Sequence, residues 1–454
     1  MSPILFALCA ALTAGQAGPA FRLAVEVPLQ DFGGIPFVYD LDGDGRHEFL
    51  WLQSPGIFHS KVFDVPPWQG RFTPEERAHF CLTATDAEGH VLWKVGEPWA
   101  GTRPFVTHCG ERALDCADID GDGSKEVVCV RRQELLVIDG ASGAIERAVS
   151  TPADNAQIVR LAHSGTGAGD WTILVKNSES SYPPHEYANP AWFYNPHLDL
   201  LKTADYHGAG HAPVVRDLDG DGLDEFLIGY NAVDHVLEAL WTFQAVPQDQ
   251  WDPVDMHVDT IATGVIGGRL CVALAASDFE YLLDAKTGGL VWKYKGTHPQ
   301  SCVVARLDPD EAEPQVLVHN KRADLQLIGA DGKERWHVTP HESFPYGQAE
   351  PCKRQAFHTF DPLTVLRGMG PGGTDWVAFS DAGWPYVIDA DGHQHEVFPH
   401  TPNAAQDWGD VPGRPDDYGY GFYVRVANLD GDPAEEVLIS DRRFAWVYER
   451  ETAP

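Results

Sequence analysis

The chain has 454 residues, 43% of them apolar, with 44 Gly, 33 Pro and 14 Trp, and a formal net charge of −34. That apolar content supports a large core, and abundant turn formers with few long helical periodicities predict an all-β protein. The charge argues against nucleic acid or an anionic membrane surface as a partner, and an anionic substrate would need a locally positive pocket or bound cations.

The first feature in chain order is "ILFALCAALTAGQA" (Ile4 to Ala17), a short apolar run ending in small residues. It is too short to span a bilayer comfortably and reads as a secretory signal cut near Ala17, although no Lys or Arg precedes it. Residues 1–20 are therefore set apart as a signal peptide and 21–454 as one domain, secreted or periplasmic and expected as a monomer. Cys9 follows Leu8, a poor fit to a lipoprotein site. Of the remaining cysteines, Cys109 and Cys116 can pair, or several can sit as buried thiols in strands.

Next comes "FRLAVEV" (Phe21 to Val27), a lone strand, and then the first of four related acidic stretches. They read "DLDGDGRHE" with Asp40, Asp42, Asp44 and Glu48; "DIDGDGSKE" with Asp118, Asp120, Asp122 and Glu126; "DLDGDGLDE" with Asp217, Asp219, Asp221 and Glu225; and "NLDGDPAEE" with Asn428, Asp430, Asp432 and Glu436. Packed carboxylates repel, and acids at positions 1, 3, 5 and 9 around a turn-forming Gly suit a hard cation that takes six to eight oxygens. An EF-hand would need its Glu at position 12 and flanking helices; here a β-branched and aromatic run follows, so each loop enters a strand. Ca²⁺ that ties loops together is the expected ligand. A metal-free Asp/Gly turn is the alternative, and it draws level at Asn428, where Pro433 replaces Gly.

After each acidic loop a second signature follows, a Gly-containing hairpin such as "DAEGHVLW" at Asp86, "DGASGAIE" at Asp139, "DAKTGGLVW" at Asp284, "ADGKERW" at Ala330 and "DADGHQHE" at Asp389. Weaker copies fill the gaps, so eight units stand at Glu48, Glu126, Asp170, Glu225, Arg269, Gln315, Asp375 and Glu436. Four-stranded units repeated in this way predict an eight-bladed β-propeller, with seven blades as the alternative. The last unit is one strand short after "FAWVYER", and the strand from Phe21 is placed to complete it and close the ring. The irregular stretches from Gln53, Asn177 and Pro399 read as face loops.

In a propeller, the segments leading into the innermost strands gather at one mouth of the channel. Here they offer His108 and Arg112, Asn155 and Gln157, His207 and His211, Asp255 and His257, His298 and Gln300, Lys353 and Arg354, and Tyr418, Tyr420 and Tyr423. Together they describe a concave polar site; taken singly, each could equally hydrogen-bond a neighbouring blade. Tyr182, Tyr187, Trp192, Phe193 and Tyr194 could stack on sugar rings or anchor a long loop. "HGAGH" (His207 to His211) is a weak metal signal because its glycines are not helical. No vicinal Cys pair, Gly-rich phosphate loop or Gly-x-Ser-x-Gly elbow occurs.

"GHAPVVRDLDGDGLDEFLIGYNAVDHVLEALW" resembles a blade of the rhamnogalacturonan lyases of the eight-bladed, calcium-containing propeller family. These carry a His six residues before the first Asp, as His211 precedes Asp217, an Asp placed as Asp234 follows Gly229, and a Leu-Trp pair like Leu240-Trp241. "VDMHVDTI" and "ARLDPDEAEPQVLVHN" resemble the next two blades, so the likeness runs from about His207 to Asn320 and elsewhere fades into generic FG-GAP-type repeats. The resemblance implies β-elimination on a uronic-acid-containing polysaccharide. Lys353, Arg354 and Arg112 are then candidates to neutralise the uronate, and His211, Tyr420 or Lys353 to act as base. His108, His257, Tyr182, Trp192 and Tyr194 are candidate substrate contacts. The rival expectation is a calcium-stabilised propeller that binds glycan or protein without catalysis. A quinoprotein dehydrogenase, suggested by "DAKTGGLVWKY", lacks that group's adjacent Cys pair.

Overall fold

The computed structural model describes residues 21–451 apart from 55–72, 74, 76–77, 101–111, 154–155, 168, 178–183, 254–255, 321–323, 340–362, 381–383, 400, 402, 404–421, 432–433 and 442. The expected signal peptide therefore lies outside the described residues.

Alternating and fully buried β-rich runs pair into eight four-stranded antiparallel sheets. Seven of them use four consecutive strands; blade 1, for example, runs Ile35–Tyr39, Glu48–Gln53, Cys81–Thr85 and Val91–Gly96. The innermost strands are Ile35–Tyr39, Leu114–Ala117, Ile158–His163, Val214–Arg216, Val258–Ile266, Pro299–Ala305, Leu363–Leu366 and Tyr423–Ala427, which meet one another around a central axis. Eight blades are present, and the seven-bladed alternative is excluded. Among the described residues no helix is long and apolar enough to cross a membrane.

The core is divided into slabs, one between each pair of neighbouring blades. Leu50, Leu52 and Leu82 of blade 1 pack on Leu114, Val127 and Leu136 of blade 2, and the pattern continues to Leu438 and Val447 of blade 8 against Phe49 and Trp51 of blade 1. Each sheet is therefore apolar on both faces, which explains strands buried along their whole length, such as Glu225–Ile228 and Gln315–Asn320.

A second contact repeats on the outer rim. Trp93, Trp241 and Trp336, on outermost strands, donate their indole N–H to Gly140, Ala285 and Ala390 in the next blade at 2.7, 2.8 and 2.6 Å. The same rings lie flat on the hairpin glycines Gly143, Gly288 and Gly392. Gly288 has φ +66°, and a Cβ there would stand 2.7 Å from the Trp241 ring. Gly288→Ala should cost about 1–3 kcal/mol through strain and overpacking together, read as a lower urea midpoint at unchanged m. Gly268→Ala is the control, since φ is +71° there but nothing lies within 4 Å of the added carbon. Equal losses in the two variants would show that the tryptophan contact contributes nothing.

Ring closure matches the sequence expectation. Phe21–Pro28 pairs antiparallel with Phe444–Arg450, from Phe21 opposite Arg450 to Pro28 opposite Phe444, with a bulge between Leu23 and Val25. Trp446 donates to Glu26 Oε2 at 2.8 Å, and Arg22 forms an ion pair with Glu449. Val27 takes the tryptophan's place on the rim, lying against Gly89 of blade 1. Cys109 lies outside the described residues; Cys116 is a free thiol, as are buried Cys81, Cys129, Cys271 and Cys302.

Candidate functional site

Each innermost strand runs from the channel mouth to the turn that leads into the second strand of its blade, and four of these turns are the acidic loops. Tyr39 and Glu48, the last and first residues of their strands, face each other across the Asp40 loop, whereas Ile35 pairs with Leu52 at the other end. The acidic loops therefore occupy the face opposite the mouth. At about 3.3 Å per residue, the six-residue step from His211 to Asp217 carries the chain roughly 20 Å through the ring.

The four acidic loops share one hydrogen-bond plan. Glu48, Glu126, Glu225 and Glu436 each accept from the backbone N–H of Leu41, Ile119, Leu218 and Leu429 at 2.7–2.8 Å. The first residue, Asp40, Asp118, Asp217 or Asn428, caps the N–H of the Gly three residues on at 2.7 Å. Oxygens of Asp40, Asp42 and Glu48 lie within 4.8 Å of one another, as do those of Asp118, Asp120 and Asp122. Desolvation, and secondarily the neighbouring aspartates, push the carboxyls of Glu126 and Glu225 up to about 7 and raise Glu48 in the same direction. Asp44 and Asp221 hold the turns through the N–H groups of Arg46 and Leu223, while Asp219 caps Asp221 and Asp430 is exposed. Asp432 lies outside the described residues.

At the mouth, "HGAGH" is held against the next blade by its backbone. His211 N–H donates to Val258 O at 3.1 Å and Val258 N–H to Gly208 O at 3.2 Å. Gly210, at φ +50°, permits this approach; a Cβ would sit 1.6 Å from Val258 O. From blade 3, the fully buried Lys176 ammonium donates to Gly210 O at 2.7 Å. This framework fixes His211.

Blade 5 supplies the remaining groups. Asp259 falls at a register shift between Val258 and Thr260, and a bulge of this kind re-aims a side chain. His211 Nε2 and His257 Nε2 are 3.1 Å apart, and they stand 3.3 and 3.4 Å from Asp259 Oδ1. All three residues are buried, at 4%, 7% and 1% exposure. His298 Nε2 approaches the other oxygen, Oδ2, at 3.8 Å. Burial alone would raise the Asp259 carboxyl, but hydrogen bonds and charge from His211 and His257 outweigh it and hold the group well below the usual carboxylate range. The Tyr187 ring covers the cluster with its centroid 5.0 Å from that of His257, and Trp251 stacks on His207 at 3.6 Å.

Two imidazole nitrogens and a carboxylate oxygen thus converge within 4.8 Å of one another, a donor set that suits a divalent cation. The surroundings fit such an ion. Asp259 Oδ2 is buried and makes no hydrogen bond among the described residues, which leaves an oxygen over for such an ion. Glu280, fully buried, pairs across to Ala275, which in turn faces Thr260; it lies two strands out from the bulge, meets the Cys302 thiol of the next blade and is not part of the cluster. Desolvation raises its carboxyl well above the ordinary range.

Of the residues expected at the mouth from the sequence, the structure brings together His211, His257 and His298. Arg112 lines the channel below them. Trp192 and Tyr194 require a correction: they belong to strand Ala191–Tyr194, are 2% exposed and pack in the slab between blades 2 and 3, so their faces are closed to sugar. His108, Tyr182, Lys353, Arg354 and Tyr420 lie outside the described residues. Sequence reasoning missed Asp259. Its only signal was a single acid set inside the apolar run "HVDTI".

A scan against protein-family models and a search of curated proteins both find no match. Among solved structures the chain is similar to the exotype rhamnogalacturonan lyase YesX, at TM-score 0.60 and 16% identity over 96% of this chain and 75% of that one. It is also similar to the Bacillus licheniformis rhamnogalacturonan lyase PL11, at 0.57 and 17% over 95% and 75%. The V. cholerae biofilm matrix protein Bap1 aligns as well, at 0.59 and 11% over 96% and 91%. At these identities the likeness is one of fold, a propeller shared by lyases and by a matrix protein.

Proposed function

We propose that the protein is a secreted polysaccharide lyase that cleaves a rhamnogalacturonan-like, uronic-acid-containing polymer by β-elimination at the channel mouth. The observation that carries this reading is the buried His211–His257–Asp259 cluster, set within the stretch from His207 to Asn320 that resembles the lyases. In such a reaction a base takes the C5 proton, its electron pair forms the C4=C5 bond, the C4–O4 bond breaks, and the departing oxygen takes a proton. Negative charge builds on the C5 carboxylate and must be neutralised. A divalent cation held by His211, His257 and Asp259 would supply that neutralisation when bound. The chain's own groups do the rest: the Gly208–Val258 ladder and Lys176 hold His211 in place, and Tyr187 presents an aromatic wall. Arg112, Lys353 and Arg354 are proposed to meet the substrate's carboxylates, and Lys353 or Tyr420 to move the proton, His211 serving as base only where no cation takes its Nε2. Incubation with rhamnogalacturonan, ulvan and other uronate polymers, followed by absorbance of the unsaturated product, tests the reading; no product from any uronate polymer rejects it.

The same acidic loops are proposed as Ca²⁺ sites with a mechanical role, since they lie on the face away from the mouth. A single site at a hundredfold excess over its Kd contributes about 2.7 kcal/mol. EGTA should therefore lower Tm, and Asp219→Ala should destabilise more in calcium than in chelator. Unchanged Tm and metal content after chelation would make the loops ordinary turns.

The second reading is a calcium-stabilised propeller that binds glycan or protein without catalysis. It is favoured by the likeness to Bap1, which extends over 91% of that matrix protein against 75% of the lyases. Retention of a uronate polymer with no unsaturated product would select it.

A further inference from the structure

We propose that the blade 7 hairpin between strands Tyr386–Ile388 and Gln394–His395 binds a transition-metal dication of the Zn²⁺, Ni²⁺ or Cu²⁺ class through Asp389, Asp391, His393 and His395. The hairpin joins the third and fourth strands of its blade, so it stands on the face of the acidic loops, away from the mouth. The inference holds whether or not the protein is a lyase.

The turn itself is built twice in the molecule. In "DADGH" the N–H groups of Asp391 and His393 donate to Asp389 Oδ1 at 2.9 and 2.8 Å, and Gly392, at φ +79°, donates to Asp389 O at 3.1 Å. In "DAEGH" of blade 1, Glu88 and His90 donate to Asp86 Oδ1 at 3.0 and 2.8 Å, and Gly89 donates to Asp86 O at 3.1 Å. The side chains differ. In blade 1 His90 Nδ1 meets the second carboxylate oxygen, Asp86 Oδ2, at 2.8 Å. In blade 7 two imidazoles meet that oxygen, His395 Nε2 at 2.7 Å and His393 Nδ1 at 3.5 Å. Strand register explains the extra ring. His395 pairs regularly with Val387, whereas Leu92, at the matching sequence position, falls in a register shift between Ala84 and Thr85. Because the blade 1 turn closes without a second histidine, His395 is surplus to the hairpin.

Donor atoms of Asp389, Asp391 and His393 lie within 4.8 Å of one another, and His395 Nε2 adjoins Asp389 Oδ2. Carboxylates alone would make only another acidic turn. Two imidazole nitrogens select against Ca²⁺, which takes oxygen ligands, and suit dications that accept His and Asp together. The base of the hairpin is held in place, since the Trp336 indole of blade 6 donates to Ala390 O and lies against Gly392. The His393 and His395 side chains are 72% and 47% exposed, so an ion can enter without any unfolding. The competing explanation is that both rings serve only as ion-pair partners of Asp389.

Zinc chloride should be titrated into the full chain in excess CaCl₂, which saturates oxygen-only sites, with heat and bound metal both recorded. The double variant His393→Gln/His395→Gln should take up one equivalent fewer than the parent. His395→Gln alone should weaken that equivalent at least about tenfold, the smallest loss usual when a ligand shell is disturbed. His90→Gln should bind as the parent does, because a single imidazole faces Asp86. Tm without metal separates lost ligation from a fold defect, and if the double variant melts lower, His393→Gln, at the more exposed ring, carries the test. Zinc held by the mouth cluster is common to all these variants and cancels in the comparison. Parent-like uptake and Kd in the variants, or displacement of this equivalent by excess Ca²⁺, overturns the proposal and leaves the histidines as partners of the turn.

Discussion

Removing residues 21–28 is expected to destabilise the protein by more than about 5 kcal/mol, a cost comparable to the whole stability of many domains. The strand buries Phe21 and Val27 at 2% and 5% exposure, and each such side chain is worth about 1.5–3 kcal/mol. The ladder to Phe444–Arg450 adds roughly 1 kcal/mol per hydrogen bond, and the Glu26–Trp446 bond goes with it. Losing the strand also bares the edge of Phe444–Arg450 and invites association between copies. Urea unfolding of chains starting at residue 21 and at residue 29 measures the difference. Adding a peptide of residues 21–28 should recover part of it. If the two chains unfold at the same urea concentration, the ring does not depend on this pairing.

Asp259→Asn is expected to lower kcat/KM on a uronate polymer by about a hundred- to a thousandfold, the range found when one electrostatic stabiliser of a transition state is removed. The substitution keeps size and an acceptor oxygen but removes the charge that both histidines face. If the cluster holds a cation, bound metal should fall in parallel, which mass spectrometry of the purified protein reads directly. Because a charge this deeply buried also matters for stability, Tm must be recorded beside the rate. Tyr187→Phe should leave the stacking wall intact and Tyr187→Ala remove it, so a loss confined to the alanine variant assigns Tyr187 to positioning. Parent-like turnover by Asp259→Asn would move the chemistry away from this cluster.

Blade count and strand order could be read from the sequence because the signals are local. An Asp/Gly loop must turn and a Gly hairpin must reverse, so even the weak copies at Asp170 and Asp375 stand one residue ahead of real strands, Trp171–Lys176 and Trp376–Phe379. Phe21–Pro28 could be placed because the last unit lacked a partner. Trp192 and Tyr194 were misplaced because "AWFY" follows Asn189-Pro190, turn chemistry that hid a strand of four buried residues. The acid of the site was hidden for a different reason. Asp259 reaches His211 only through a bulge and a neighbouring blade, and no periodicity in the sequence encodes contacts of that range.

The closing strand has a history as well as a place. It leaves the ribosome roughly four hundred residues before its partner, and at about 5–20 residues per second that means a wait of some 20–80 s as an unpaired segment. "FRLAVEVP" is suited to waiting: Arg22, Glu26 and Pro28 discourage other strands from annealing to it. Once the partner emerges the same charges change roles, with Arg22 meeting Glu449 and Glu26 receiving the Trp446 indole N–H. Guards during translation thus become clasps in the finished ring, and their replacement by apolar residues should show first in the yield of nascent chains, before any loss in the stability of molecules that have already closed.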